Sequence, residues 1–217
     1  MVVGFCFNLE VRGESLLLPF IRKVRRVDDL CSLTYEDPYQ LLVAVRLSAQ
    51  CTDARVNLVT PALFEKYPTP VEMAAADVED VEELIRSTGF FRTKARDLVI
   101  MANQILDGFD GKVPSTIEEL TSLQGVGRKT ANLIAGDIYG MPGAVVTDTH
   151  AIRIANRIGL VDTKDPKKVE FALRKLLPPE ESNNFCHRCV LHGRATCTAR
   201  KAHCERCCLN DVCKKNI

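Results

Sequence analysis

Apolar residues recur at helical spacing along almost the whole chain. Val169, Leu173 and Leu176 form one stripe, and Leu98, Met101 and Ile105 form another. The two-residue alternation of a strand is nearly absent. Asp37-Pro38, Thr60-Pro61, Thr69-Pro70 and Asp165-Pro166 each set a capping side chain before a proline at a first helical position. Thr69 with Glu72, and Ser115 with Glu118, have capping-box spacing. Gly89, Gly108, Gly140, Gly159 and Gly193 follow apolar-periodic runs, where helices stop. Together these signals predict about ten helices and an all-α fold. The acid-rich stretch Glu72 to Glu83 reads as a solvated helix face with no role, and Met1 to Leu9 match no element.

Composition narrows the class. A chain of 217 residues, 46% hydrophobic and 26% charged, is long enough for a proper core and is neither collagen-like, disordered nor transmembrane. Leu16-Leu17-Leu18 before Pro19 is too short to span a bilayer, and no basic leader with a small-residue cleavage site precedes it. The expectation is a cytoplasmic protein with no membrane partner. The total charge of +1 hides an asymmetry: Cys186 to Ile217 carry seven basic residues and two acidic ones, a net +5. Such a tail attracts a polyanion locally. Seven of the ten cysteines fall in these last 32 residues. In a chain without an export signal, clustered cysteines read as metal ligands rather than disulfides.

Leu123-Gln124-Gly125-Val126-Gly127-Arg128-Lys129-Thr130-Ala131-Asn132 joins two helical patterns through a tight glycine turn. Gly125 and Gly127 permit positive φ and expose successive backbone N–H groups where the next helix begins, which suits a DNA phosphate. Gly-x-Gly alone is an ordinary turn; the following Arg128 and Lys129 favour the phosphate reading.

This segment resembles the helix-hairpin-helix motif of the endonuclease III DNA glycosylases. The resemblance extends to Leu47-Ser48-Ala49-Gln50-Cys51-Thr52-Asp53, to Thr88-Gly89-Phe90-Phe91-Arg92-Thr93-Lys94-Ala95, to Val146-Thr147-Asp148-Thr149-His150 and to the terminal cysteines, so it covers about residues 15 to 217. It implies two helical lobes. One is a six-helix domain carrying the hairpin, over 30–142; the other is a discontinuous helical iron–sulfur domain from 10–29 and 143–217. It implies a monomer acting on double-stranded DNA that holds a damaged base or an abasic site. The activity implied is excision of oxidised or ring-saturated pyrimidines coupled to abasic-site cleavage.

An amine is a nucleophile only when uncharged. Arg128, the positive end of a helix dipole and partial burial would all favour the neutral amine of Lys129. From chemistry alone Lys129 is a phosphate contact; the resemblance makes it the catalytic nucleophile. Asp148 precedes a helical pattern and reads as an N-cap, and the resemblance adds a catalytic role. The interval between them is one residue longer than the family pattern, with Gly143-Ala144 as the extra turn. Flipping a base leaves a hole in the stack. The resemblance assigns Gln50 and Phe90 to fill it, whereas a phenylalanine is ordinarily a core residue. Phe90 and Phe91 cannot point the same way, so one faces outward. Asp53 either lines the pocket mouth or caps the helix from Ala54. The hairpin residues Gly125, Val126, Gly127 and Arg128, with Arg200 and Lys201 in the tail, complete the implied DNA contacts.

Cys197, Cys204, Cys207 and Cys213 lie within 17 residues and suit zinc or an iron–sulfur cluster. Their C-x6-C-x2-C-x5-C spacing resembles the family's [4Fe–4S] loop, with Cys208 as a competitor for the place of Cys207. Cys186 and Cys189 read as buried helical thiols, Cys6, Cys31 and Cys51 as ordinary ones, and His187, His192 and His203 as non-ligands. Two alternatives stand beside the main reading. A monofunctional relative of the adenine glycosylase branch is disfavoured by Lys129. A non-catalytic helix-hairpin-helix protein would bind DNA without forming a covalent adduct.

Overall fold

The structure, a computed structural model, describes Phe20, Val24 and residues 32–215. Among these residues it is all-α, with ten α-helices, three 3-10 turns and no strand beyond an isolated bridge between Cys197 and Ala202. No described helix is long and apolar enough to cross a membrane. The sequence readings of Met1 to Leu9, of Cys6 and Cys31, and of 10–29 apart from Phe20 and Val24 lie outside the described residues. The chain divides into two compact units, Cys31–Tyr139 and one built from Gly140–Ile217 with the N-terminal segment.

The first unit contains α1 (Pro38–Ser48), α2 (Asp53–Lys66), α3 (Pro70–Ala74), α4 (Val78–Ile85), α5 (Phe91–Phe109), α6 (Ile117–Ser122) and α7 (Arg128–Asp137). The five-residue α3 is the one beyond the expected six. Asp37 caps α1 by accepting from the Gln40 N–H at 2.8 Å, with Pro38 in the first turn. Thr69 and Glu72 form the capping box of α3. Helix α5 lies along α3 and α4, α1 packs on α2, α5 and α7, and α6 packs on α7. Leu41, Leu42, Leu63, Leu98, Met101 and Ile105 are fully buried between them, each contributing about 1.5–3 kcal/mol.

Several boundaries differ from the sequence reading. Pro61 lies inside α2, because Thr52 caps that helix by accepting from the Arg55 N–H, and Asp53 is in its first turn. The second capping box is Thr116 with Glu119, one residue later than Ser115 with Glu118. Gly108 is helical. The apolar face of α5 continues through Ala102 and Ile105 to Phe109, offsetting a glycine cost of about 1 kcal/mol, and Asp110 ends the helix at φ 52°. Gly89 follows a 3-10 turn, Arg86–Thr88. The acids from Glu72 to Glu83 do more than face solvent. Glu72 and Asp77 cap α3 and α4, and Asp80 pairs with Lys66 at 2.5 Å.

The second unit holds α8 (Thr149–Ile158), α9 (Pro166–Leu176) and α10 (Ser182–Ala195). Asp165 caps α9 through the Lys168 N–H at 2.8 Å, and Gly159 closes α8. Helices α8 and α10 pack together, and the Phe20 ring lies tilted against Phe185 of α10 with centroids 4.8 Å apart. Gly193 lies within α10 rather than after it. A Cβ there would come within 2.5 Å of His150 Nδ1 and 2.7 Å of Arg153, so the glycine sets how closely α8 approaches. Cys186 and Cys189 are buried helical thiols, as expected.

Candidate functional site

The hairpin is built from its turn outward. Helix α6 is followed by its C-cap Leu123, whose carbonyl accepts from the Val126 N–H at 3.1 Å. Gly125 then takes φ 75°. A Cβ there would stand 2.6 Å from Arg46 Nε and 3.1 Å from Asp97 Oδ2, so glycine is required by both conformation and space. Gly127 is the N-cap of α7 and has no side chain to cap it, which leaves the amino end of α7 suited to an anionic oxygen. Val126 is buried as an anchor, Gly125 and Gly127 are exposed, and Lys129 is in the first turn of α7. Lys129 is exposed, so partial burial does not contribute to its chemistry.

Beneath the turn lies a polar network. Arg46 of α1 donates through Nε to Asp97 Oδ2 at 2.9 Å, and Gln124 Nε2 donates to Oδ1 at 2.9 Å. The Gln124 N–H reaches Gln104 Oε1 at 2.7 Å. Helix α5 thus holds the hairpin from below through two side chains.

Gln50 and Phe90 share an unusual backbone. Both are left-handed, at φ 54° and φ 48°, a region that disfavours side chains with a Cβ. Both are exposed, Phe90 at 68%. Phe91 is half-buried beneath the guanidiniums of Arg92 and Arg86, so Phe90 is the outward-facing member of the pair. Lys94 lies between the two loops and is fully buried. Its Nζ donates to the carbonyls of Leu47 at 2.7 Å and Thr88 at 2.8 Å. Burial pulls the Lys94 ammonium below the usual lysine range, with Cys51 opposing the shift and Arg46 adding to it. Asp53 is half-buried and accepts from the Ser32 hydroxyl.

In the second unit Asp148 caps α8, accepting from the Ala151 N–H at 2.7 Å. It remains half-exposed. The preceding turn is pinned where the Gly143 N–H meets the Pro179 carbonyl at 2.7 Å.

Cys197, Cys204, Cys207 and Cys213 line one hollow, together with Arg157 and His192; Cys208 is exposed and not part of the lining. Among the described residues no three His, Cys, Asp or Glu side chains group tightly enough for a single metal ion. Four cysteines around one hollow match the ligand count of either a tetrahedral zinc or an iron–sulfur cluster. The donor set also favours anionic sulfur. Arg157 points at Cys197 Sγ from 3.3 Å, the Leu209 N–H at Cys207 Sγ from 3.4 Å, and the Lys215 N–H at Cys213 Sγ from 3.3 Å. Burial pushes the Cys207 and Cys213 thiols up, so cation binding must displace their protons. Arg157 also grips the Thr198 carbonyl at 2.7 Å, and the loop it holds carries the exposed Arg200 and Lys201.

Sequence reasoning missed Arg46, Lys94, Asp97 and Arg157. A signal was present for two of them. Lys94 and Asp97 fall on the same helical stripe as Ala95, Leu98, Met101 and Ile105, and a charge within an apolar stripe marks a buried polar contact.

Residues 43–179 match the model of the HhH-GPD superfamily base excision DNA repair proteins. The endonuclease III of Synechocystis sp. is 49% identical over 183 residues, 84% of each chain. That of Bacillus subtilis is 39% identical over 186 residues, covering 85% of this chain and 84% of the relative. Among solved structures, a trapped endonuclease III–DNA covalent intermediate aligns with TM-score 0.83 and 39% identity, over 95% of this chain and 96% of that one. A thermostable thymine-DNA glycosylase shares the fold at TM-score 0.76 and 21% identity, over 96% of each chain.

Proposed function

The chain belongs to the endonuclease III family, within the HhH-GPD superfamily of base excision DNA repair proteins, and we propose that it excises oxidised or ring-saturated pyrimidines from duplex DNA and cuts the strand 3′ to the abasic site. It is a base-excision glycosylase and abasic-site lyase that works as a monomer in the cytoplasm. The observation that carries this reading is Lys129, exposed in the first turn of α7 directly after the Gly125–Gly127 turn. Lys94 is no rival, because its amine is buried and committed to two carbonyls.

The neutral Lys129 amine attacks C1′ of the damaged nucleotide. The N–C1′ bond forms as the glycosidic bond breaks, and the base leaves with a proton. Ring opening gives an imine, which acidifies C2′–H; loss of that proton expels the 3′ phosphate, and water releases Lys129. Asp148 accepts the ammonium proton or faces the positive charge developing on the sugar. The turn at Gly125 and Gly127, with Val126 as anchor and Arg128 beside it, holds the phosphate backbone, assisted by Arg200 and Lys201. Gln50 and Phe90 occupy the space left by the flipped base.

Cys197, Cys204, Cys207 and Cys213 would hold a [4Fe–4S] cluster, which when bound supplies iron–sulfur bonds that fix the basic loop.

Borohydride trapping on duplexes carrying an oxidised pyrimidine tests the assignment. Wild-type protein forms a covalent adduct. Lys129→Gln loses trapping and strand cleavage yet still binds abasic DNA through the hairpin. Asp148→Asn keeps its cap, traps slowly on a preformed abasic site, and loses about 100-fold in base removal. An adduct from Lys129→Gln would overturn the nucleophile, and none from wild-type protein would overturn the activity.

A further inference from the structure

Lys94 is one of few charged side chains in the core of its unit, at 1% exposure. Burying an ammonium costs more than burying a hydrocarbon of equal size, so the position needs an explanation beyond volume. Its two acceptors supply one. The Leu47 carbonyl belongs to the last turn of α1, which ends at Ser48, two residues before Gln50. The Thr88 carbonyl ends the 3-10 turn that precedes Phe90. Carbonyls at such ends lack helical partners, and one ammonium satisfies both. Beyond each carbonyl lies a non-glycine residue in the left-handed region, Gln50 in one loop and Phe90, after Gly89 at φ 69°, in the other, a conformation that persists only where the surroundings over-determine it.

We propose that Lys94 is a positioning residue for base flipping, its ammonium joining the Gln50 and Phe90 loops so that their two exposed side chains are presented to DNA as one pre-set pair. The proposal rests on the reading of Gln50 and Phe90 as void-filling residues. Lys94 is too deeply buried to touch a phosphate, so it acts only through the two backbones it joins. Holding both loops in place before DNA arrives removes an ordering cost from the flipped complex, and a misplacement of about 1 Å at such a point can cost about 100-fold in rate.

The test compares two reactions of one protein. Base excision from duplex DNA requires flipping, whereas lyase cleavage of an abasic site in a single-stranded oligonucleotide does not. Lys94→Met keeps an unbranched apolar stem one atom shorter and removes the ammonium. It should lower single-turnover excision on duplex by about 10- to 100-fold, with single-stranded lyase cleavage within about threefold of wild type. Lys94→Gln keeps two N–H donors on a side chain one atom shorter, so it should fall between wild type and Lys94→Met on duplex. The salt dependence of nonspecific binding stays unchanged, because no phosphate contact is lost. Equal losses in both reactions would make Lys94 a residue of general stability and overturn the proposal, as would unfolding of both variants or wild-type excision by either. Should Lys94→Met alone fail to fold, the same comparison in Lys94→Gln decides. If wild-type protein fails to trap on single-stranded abasic DNA, the fault lies with the proposed lyase activity and not with Lys94.

Discussion

Gln124, at the tip of the hairpin, donates to one oxygen of the Asp97 carboxylate at 2.9 Å while Arg46 holds the other. The side chains of Arg46 and Asp97 are only 15% and 8% exposed, so removing one strands the other. Asp97→Ala should cost about 3 kcal/mol, the usual penalty for a buried charge left unpaired. The melting temperature should then fall by about 10 °C. The double variant Arg46→Leu with Asp97→Leu should recover most of that stability yet still bind abasic DNA more weakly, because Gln124 has lost its anchor. Equal recovery of binding would show that the hairpin needs no support from Asp97.

Gln50 and Phe90 bear a conformational cost that glycine would remove, of about 1 kcal/mol each. Because both side chains are exposed, Gln50→Gly and Phe90→Gly sacrifice little packing. Each should hold or raise the melting temperature while slowing duplex base excision by about 10-fold or more. A sharp fall in stability for Phe90→Gly would return that residue to the core.

Cys207 and Cys208 should separate cleanly. Cys207→Ser removes a lining sulfur that accepts from the Leu209 N–H, and should lower iron content and the brown visible absorption of the purified protein. Cys208→Ser alters an exposed side chain and should leave both unchanged. The opposite pattern would reassign the ligand. Stoichiometric zinc in a colourless protein would remove the cluster altogether.

His150 gives the second unit a pH dependence with a defined sign. Burial holds the imidazole below its ordinary value, Asp148 partly opposes this, and Arg153 and Arg194 push it further down. The unfolded chain therefore takes up the proton at a higher pH than the folded one. Stability is retained above about pH 6.5 and is lost as pH falls below it. The urea midpoint should decline on acidification, and more steeply in wild-type protein than in His150→Gln. Parallel declines would place the dependence elsewhere.

Much of this fold was legible because caps are local. Asp37, Thr69, Asp148 and Asp165 each satisfy a backbone N–H within three residues, a contact that needs no distant partner. Thr60-Pro61 shows the limit of such reasoning. It has the same letters as a cap, but Thr52 had already started that helix, and burial of Thr60 carries the chain through the proline. Gly193 is a second case, since its meaning depends on His150 and Arg153 from another helix. In the candidate site, the hairpin and the cysteine spacing are contiguous in sequence and could be recognised there. The side chains that hold them, Asp97 beneath Gln124 and Arg157 beside Cys197, come from far along the chain.

The supports of three loops stand along one helix. Lys94, Asp97 and Gln104 all project from α5, toward the Gln50 and Phe90 loops in the first case and toward the hairpin in the others. Their agreement is therefore a matter of angular phase around a single axis. One residue inserted between Asp97 and Gln104 would swing Gln104 by about 100° relative to Asp97, detaching the hairpin's backbone contact while leaving its side-chain contact in place. Point substitutions on the outer face of α5 are cheap, but its length between these residues is fixed, and the three loops inherit their alignment from that count.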